Sequence, residues 1–193
     1  IGFALGPRLN AAGRLDDISI GIACLLTDDA ALADDLAQSL DEINLDRRHI
    51  EHDVQQQAEA ALAVIKRTED LPIGICMFNA DWHQGVVGIL ASRIKEQHHR
   101  PVICFALAND DPDCDELKGS ARSISGFHIR DALEAVATEC PGLVTKFGGH
   151  AMAAGLSIHE RQLNEFSECF NQVVAEMADP DIFQKKWLKI VKM

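Results

Sequence analysis

Tyrosine is missing from this chain of 193 residues, and aromatic residues make up only 5% of it. A surface that stacks nucleobases on rings is therefore poorly supplied. No apolar run approaches the roughly 20 residues that a membrane helix needs, and no signal peptide precedes the first motif. The six cysteines, Cys24, Cys76, Cys104, Cys114, Cys140 and Cys169, form no C-x-x-C pair. The ligand spacing of a zinc site is thus lacking. Most of these thiols lie in apolar runs and are expected to be reduced and buried, as in a cytosolic protein. No G-K-[ST] ending completes a Walker loop, and no nucleophile elbow presents a serine to a His and an Asp. No cluster of Asp and His fits a two-metal site, so no residue of this chain is expected to ligate a metal.

Positive charge is also scarce, with a formal net charge of −12. Its distribution matters more than its sum. Residues 28–70 carry 12 acids and 4 bases, and residues 109–116 (NDDPDCDE) add five acids, leaving the remainder at about +1. The acid is segregated into one long helix and one loop, and the other segments are free to face an anion.

What is present is a core-forming chain, 47% hydrophobic. It opens on IGFALGPRLNAAGRLDD, which reads as mid-domain, a piece cut from a longer protein. Thr27, Asp28 and Asp29 read as helix-capping residues. Apolar residues then recur at steps of three or four from Leu32 to Ile65, with no Gly or Pro over residues 30–67. The spacing predicts one long helix of about 55 Å connecting two bodies. The alternative is two helices broken near residues 44–48.

After Pro72, buried strands are predicted at 73–78 (IGICMF) and 101–107 (PVICFAL), with a turn and helix between them. An acidic turn, a third strand at 118–123, a helix at 129–140, a glycine-rich loop at 148–155 and an amphipathic helix at 160–177 follow. This alternation argues an α/β class, a central sheet flanked by helices. The expected division is 1–70 for the first motif and connector, 71–178 for the sheet domain, and 179–193 for a linker or the start of another domain.

Four segments carry candidate chemistry. In GPRLNAAGR (residues 6–14), Arg8 and Arg14 offer forked donors suited to phosphate oxygens. Asn10 suits a phosphate, a sugar or its own turn. The bland alternative is a helix-start turn with the arginines paired to Asp16 and Asp17. In DWHQGVVG (residues 81–88), His83 precedes a helix start, where N–H groups favour anions, Trp82 is placed to wall a pocket, and Gly85 and Gly88 permit close approach. In GSARS (residues 119–123), Ser120, Arg122 and Ser123 sit on a strand. The pattern is read as setting Ser120 and Arg122 on opposite faces, with a bulge needed to unite them. In GGHAMAAG (residues 148–155), Gly148 and Gly149 form a cradle of backbone donors beside His150.

Taken together and in this order, these segments resemble the RecJ family of the DHH phosphoesterases. GPRLNAAGRLDD is similar to the motif that follows the catalytic domain of that family. The helix bearing Asn44, Arg47 and Arg48 is similar to its connector, and the last three motifs to its DHH-associated domain. The resemblance covers about residues 1–178. It implies 5′-to-3′ degradation of single-stranded DNA in repair and recombination, in the bacterial cytoplasm. It implies manganese or magnesium held by a DHH domain whose signature this sequence lacks, so this chain is expected to bind no metal and to be inactive alone. The implied substrate contacts are Arg8, Asn10, Arg14, Trp82, His83, Ser120, Arg122, Ser123, Gly148, Gly149 and His150, with His83 and His150 lining the cleft. The implied partners are single-stranded DNA, the DHH domain and a single-strand DNA-binding protein, with no membrane. The tail after residue 178 would open an OB-fold.

Three other readings compete. One is another DHH phosphoesterase acting on short RNA or a nucleotide bisphosphate. The second is a non-catalytic nucleic-acid-binding module, and the third a plain α/β interaction domain. The scarcity of aromatics favours phosphate and sugar contacts, and hence sequence-independent binding.

Overall fold

The computed structural model describes residues 2–68, 71–109, 111 and 114–183. Its contacts group into two units, residues 1–57 and 58–193.

The first unit is helical. α1 (Gly2–Leu15) contains the whole GPRLNAAGR segment, including Pro7. The expected close-approach turn is therefore a helix, and its small residues Ala11 and Ala12 are buried. α2 (Ser19–Leu26) was not foreseen from the sequence. Gly21 explains how the two helices meet: a Cβ there would stand 2.7 Å from Leu9 Cδ2. Asp17 shapes the entry to α2 by accepting from the Ser19 N–H at 2.9 Å.

α3 (Ala30–Thr68) is a single helix of 39 residues. The predicted connector is continuous, and no break occurs at residues 44–48. Its start is capped as anticipated, with Asp29 Oδ1 accepting from the Ala31 N–H at 3.0 Å. Asn44 and Glu51 are buried on this helix, and Arg47 bridges them. Its Nη1 lies 2.8 Å from Glu51 Oε2, and its Nη2 reaches Asn44 Oδ1 at 3.4 Å.

The second unit is built on a five-stranded sheet: β1 (Ile75–Phe78), β2 (Val102–Leu107), β3 (Glu116–Arg122), β4 (Lys146–Gly149) and β5 (Ala153–His159). The order across the sheet is β1-β2-β3-β5-β4. Only β1 and β2 run parallel, joined through α4 (Val87–His98). The other pairs are antiparallel. β2 is buried on both faces from Val102 to Ala106, which is why it reads as an unbroken apolar run.

One face of the sheet packs on α5 (Ile129–Glu139) and α6 (Leu163–Met177). Ile103, Phe105, Leu117, Leu156, Ile158, Phe166 and Phe170 centre this core. Phe105 meets Phe166 edge-on, with ring centroids 5.6 Å apart. Each fully buried ring of this kind contributes about 1.5–3 kcal/mol. Gly119 is what lets Phe105 and Leu156 close over β3, since a Cβ there would lie 2.6 Å from both. On the opposite face, α4 lies against β2 and β3.

Three expectations need correction here. The segment at 148–155 is not a loop: it ends β4, turns, and begins β5. The thiols are not all free, because Cys140, at the end of α5, is paired with Cys169 of α6, their Cα atoms 7.0 Å apart. Ser120 and Arg122 share one face of β3, because residues two apart on a strand point the same way. The chain leaves α6 into a short 3-10 turn, Pro180–Phe183. Arg100 holds that turn, donating to the Phe183 carbonyl at 3.0 Å and stacking over its ring. The expected OB-fold start at 184–193 lies outside the described residues.

Candidate nucleic-acid interface

Register places the third and fourth motifs side by side. Ser120 on β3 pairs with Gly155 on β5, and Gly155 with Gly148 on β4. One residue row therefore runs Ser120, Gly155, Gly148 across three strands and carries almost no side-chain bulk. Arg122 pairs with Ala153, whose carbonyl accepts the His150 N–H at 2.8 Å. The turn carrying His150 thus hangs beside the strand end that carries Arg122.

The Arg122 side chain folds back along its own strand. Its Nη1 donates to Ser120 Oγ and to the Ala121 carbonyl, each at 2.8 Å. The guanidinium also lies against the first turn of α4. A Cβ on Gly88 would stand 2.8 Å from Arg122 Nη2 and 3.0 Å from Ser120 Oγ. The glycine of the second motif makes room for the arginine of the third. No side chain caps that first turn of α4, so its N-terminal dipole faces the same neighbourhood as the guanidinium.

Arg122 also influences a thiol. Burial holds the Cys104 thiol far above its ordinary range, reinforced by neighbouring Cys76 and opposed by the positive charge of Arg122. Burial likewise pushes the Cys76 thiol up to about 12, with a hydrogen bond from Ser167 working the other way.

Gly149 sets the shape of the fourth motif. Its φ is +148°, and a Cβ would meet the Ala153 oxygen and the Ala154 Cα at 2.5 Å. Only glycine fits, so the backbone of β4 can close on β5 at the turn. Gly148 is open, with nothing near a Cβ there within 4 Å. His150 is exposed.

The second motif shapes a separate cleft of about 230 Å³, lined by Trp82, His83, Gln84, Leu107 and Asn109 among others. Trp82 is buried and does wall it. His83 is exposed, and its Nδ1 accepts the Gly85 N–H at 3.0 Å. That bond fixes the tautomer: in the neutral ring the proton sits on Nε2.

Ser123 departs from its expected role. It is fully buried, and its hydroxyl donates to the Phe127 carbonyl at 2.7 Å. Its N–H donates to the Met152 carbonyl at 3.0 Å, so Ser123 ties the exit of β3 to the turn after His150. It holds the site's frame and touches no open surface.

Arg8, Asn10 and Arg14 belong to the first unit. Arg8 Nε pairs with Asp41 at 2.6 Å rather than with Asp16 or Asp17. The two line a cleft of about 270 Å³ with Glu42, Asn44, Leu45 and Arg48. Asn10 and Arg14 are exposed.

Sequence reasoning missed another group. A cleft of about 350 Å³ on the sheet is lined by Lys118, Lys146, Gly148, Gly155 and Ser157, together with Gly119, Phe147 and Leu156. The signal was present in the period-two spacing of Lys118, Ser120 and Arg122, which places all three on one face. Among the described residues, no three His, Cys, Asp or Glu gather to hold a metal.

Comparison with known proteins agrees with this architecture. The DHHA1 domain family matches residues 57–176. The chain is 54% identical over 185 residues to the single-stranded-DNA-specific exonuclease RecJ of Escherichia coli (strain K12), covering 95% of this chain and 31% of that protein. It is 30% identical over 180 residues to the RecJ of Thermus thermophilus, covering 93% of this chain and 24% of that protein. The crystal structure of Thermus thermophilus RecJ in complex with Mg2+ superposes with a TM-score of 0.75 at 31% identity, covering 90% of this chain and 25% of that one. The chain therefore spans about a third or less of the length of these relatives.

Proposed function

Because the chain belongs to the DHHA1 domain family, we propose that it is the substrate-holding part of a RecJ-type exonuclease that degrades single-stranded DNA from the 5′ end. In this reading residues 1–70 form the junction motif and connector, residues 71–178 the DHH-associated domain, and residues 179–193 the passage toward a further domain. Phosphodiester hydrolysis is assigned to a DHH domain that this sequence does not include. Manganese or magnesium would be held in that domain and would supply the activation of water there.

One observation carries the reading. Gly88 makes room for Arg122 beside Ser120, on a sheet face that continues into the bare Gly155 and Gly148 row. A forked cation at the edge of a flat backbone surface suits a phosphate attached to a sugar. His83 and His150 are exposed and available to line the same substrate path. The rows Ser120–Gly155–Gly148 and Lys118–Ser157–Lys146 carry no aromatic ring, which supports sequence-independent binding in repair and recombination. Arg8, Asn10 and Arg14, in the first unit, are further proposed contacts to the strand. A single-strand DNA-binding protein is a further proposed partner, and the bacterial cytoplasm the proposed location.

The test is equilibrium binding of this chain to short single-stranded DNA, titrated with salt, with 5′-phosphate and 5′-hydroxyl ends compared. Salt-sensitive binding that prefers the phosphate is expected, with no cleavage when Mn2+ is added. Equal affinity for the two ends would remove end recognition from this chain. Metal-dependent cleavage by the pure chain would overturn the assignment of chemistry to another domain.

A further inference from the structure

We propose that Lys118, Lys146 and Ser157 form a second phosphate subsite, which holds the sugar–phosphate backbone of a nucleic-acid strand one step beyond the Arg122 site. The proposal rests on the reading of this face as a single-strand interface and adds a location to it.

The three residues form one row. Lys118 on β3 pairs with Ser157 on β5, and Ser157 pairs with Lys146 on β4. All three therefore project from the sheet face that carries Ser120 and Arg122. With strands about 4.8 Å apart, the two lysine Cα atoms stand roughly 10 Å from each other, with the serine midway. That separation lets two ammonium groups approach one anion from opposite sides. Both lysines are exposed, and neither makes an ion pair among the described residues. Glu116 shares the face one row further along β3, beside His159 rather than between the lysines. Two like charges facing each other across a cleft with no acid between them repel, and a bound anion relieves this.

Ser157 supplies an independent indication. It is only 6% exposed. Its carbonyl is occupied, accepting from the Thr145 N–H and hydroxyl at 3.0 Å each. Its own hydroxyl makes no hydrogen bond within the described residues, yet it lies on the floor of the cleft. The hydroxyl is reachable from the cleft, where it is available to donate to a phosphate oxygen. Gly155 and Gly148 continue the face beside it, so a ribose-phosphate can lie flat where any larger side chain would lift it.

Spacing favours a nucleic-acid strand over an isolated anion. Lys118 lies two residues from Ser120 on the same face, about 7 Å along β3. Two phosphate contacts in line on one strand make a track. A free phosphate or a mononucleotide fills only one of them. An acidic protein segment is the other polyanion that fits two lysines, and the experiment separates it.

The experiment compares this chain with Lys118→Ala/Lys146→Ala and with Ser157→Ala. The probes are a mononucleotide and a hexanucleotide of thymidylate, each with and without a 5′-phosphate. Lysine removal at exposed positions leaves the fold intact, which a thermal melt verifies. The hexanucleotide is expected to bind the unaltered chain more tightly than the mononucleotide. In the double-lysine variant that gain should vanish and the salt slope should become shallower by about 0.7, for one lost phosphate contact. The preference for a 5′-phosphate should persist, and Lys118→Arg/Lys146→Arg should restore the gain. If the length-dependent gain survives the double substitution, the subsite is overturned while end recognition stands, and the lysines are left to an acidic protein partner. If the unaltered chain binds no oligonucleotide, the parent reading fails and takes the subsite with it.

Discussion

Arg122 Nη2 lies where a Cβ on Gly88 would stand only 2.8 Å away. This contact joins two motifs separated by 34 residues. Gly88→Ala opposes two effects. Alanine is better than glycine in a helix by about 1 kcal/mol, and the obstructed atom is the mobile end of a side chain. Stability should therefore hold or rise. Arg122 should be displaced, and DNA binding should weaken roughly tenfold or more, the loss of one charge-assisted hydrogen bond. Thermal melts and oligonucleotide titration check both halves. Unchanged affinity would remove the Gly88 contact from the site.

Arg122→Ala, placed in the complete enzyme, should lower kcat/KM on single-stranded DNA strongly while circular dichroism stays the same. Arg122→Lys should rescue little, because one ammonium cannot both hold Ser120 Oγ and the Ala121 carbonyl, as Nη1 does, and present a second donor beside Gly88, as Nη2 does. Kinetics indistinguishable from the parent enzyme would count against the assignment.

Gly149→Ala and Gly148→Ala form a matched pair. At Gly149 the added methyl meets backbone at 2.5 Å and the residue sits at φ +148°, a conformation costing about 1–3 kcal/mol for other residues. At Gly148 the space is open. The first change should lower the unfolding midpoint clearly and the second should not, which a denaturant titration reads directly. Equal midpoints would mean that the turn relaxes.

Glu51→Ala should destabilise the chain by up to about 3 kcal/mol, since it strands the half-buried Arg47 guanidinium without its carboxylate. Denaturant unfolding measures this. Replacing Arg47 and Glu51 together with leucine and methionine should recover most of the loss. A double variant as weak as the single would show that the helix needs the charges themselves.

Cys76, with its thiol at about 12, favours the neutral form in the folded chain. Alkylation at pH 8 should be much slower at Cys76 than at Cys24 or Cys114. The sign for stability follows from linkage. An acid whose folded pKa is raised from 9.0 to about 12 contributes fully below 9.0, and the contribution disappears as pH rises towards 12. Cys76→Ser should therefore flatten the alkaline loss of stability, read from unfolding midpoints across that range.

Much of the fold was legible because its signals are local. The 39-residue α3 announced itself by helical spacing without Gly or Pro. β2 did so by an apolar run short enough for a buried strand. α2 was missed because SIGIACLL is apolar all round and has no face to read. The GGHAMAAG segment reads as a loop in sequence because its glycines look like breakers. Here they serve register instead, keeping β4 and β5 close. Ser123 and Arg122 are chain neighbours with opposite fates, one buried and one on the face, which pairing alone decides. The candidate site was legible as a set of motifs. The lysine row was not, since Lys118 and Lys146 meet only through the register of β5.

The sheet ends at β4, a strand of four residues. An outer strand with regular, uncharged geometry is a template on which another chain can pair and aggregate. β4 gives such a chain little to hold. Lys146 places a charge at its start, and the +148° φ of Gly149 takes the backbone out of extended form at its end. A second copy adding itself there would find an edge too short and too bent to extend. The residues that keep the face open therefore also close this edge of the sheet to a further strand.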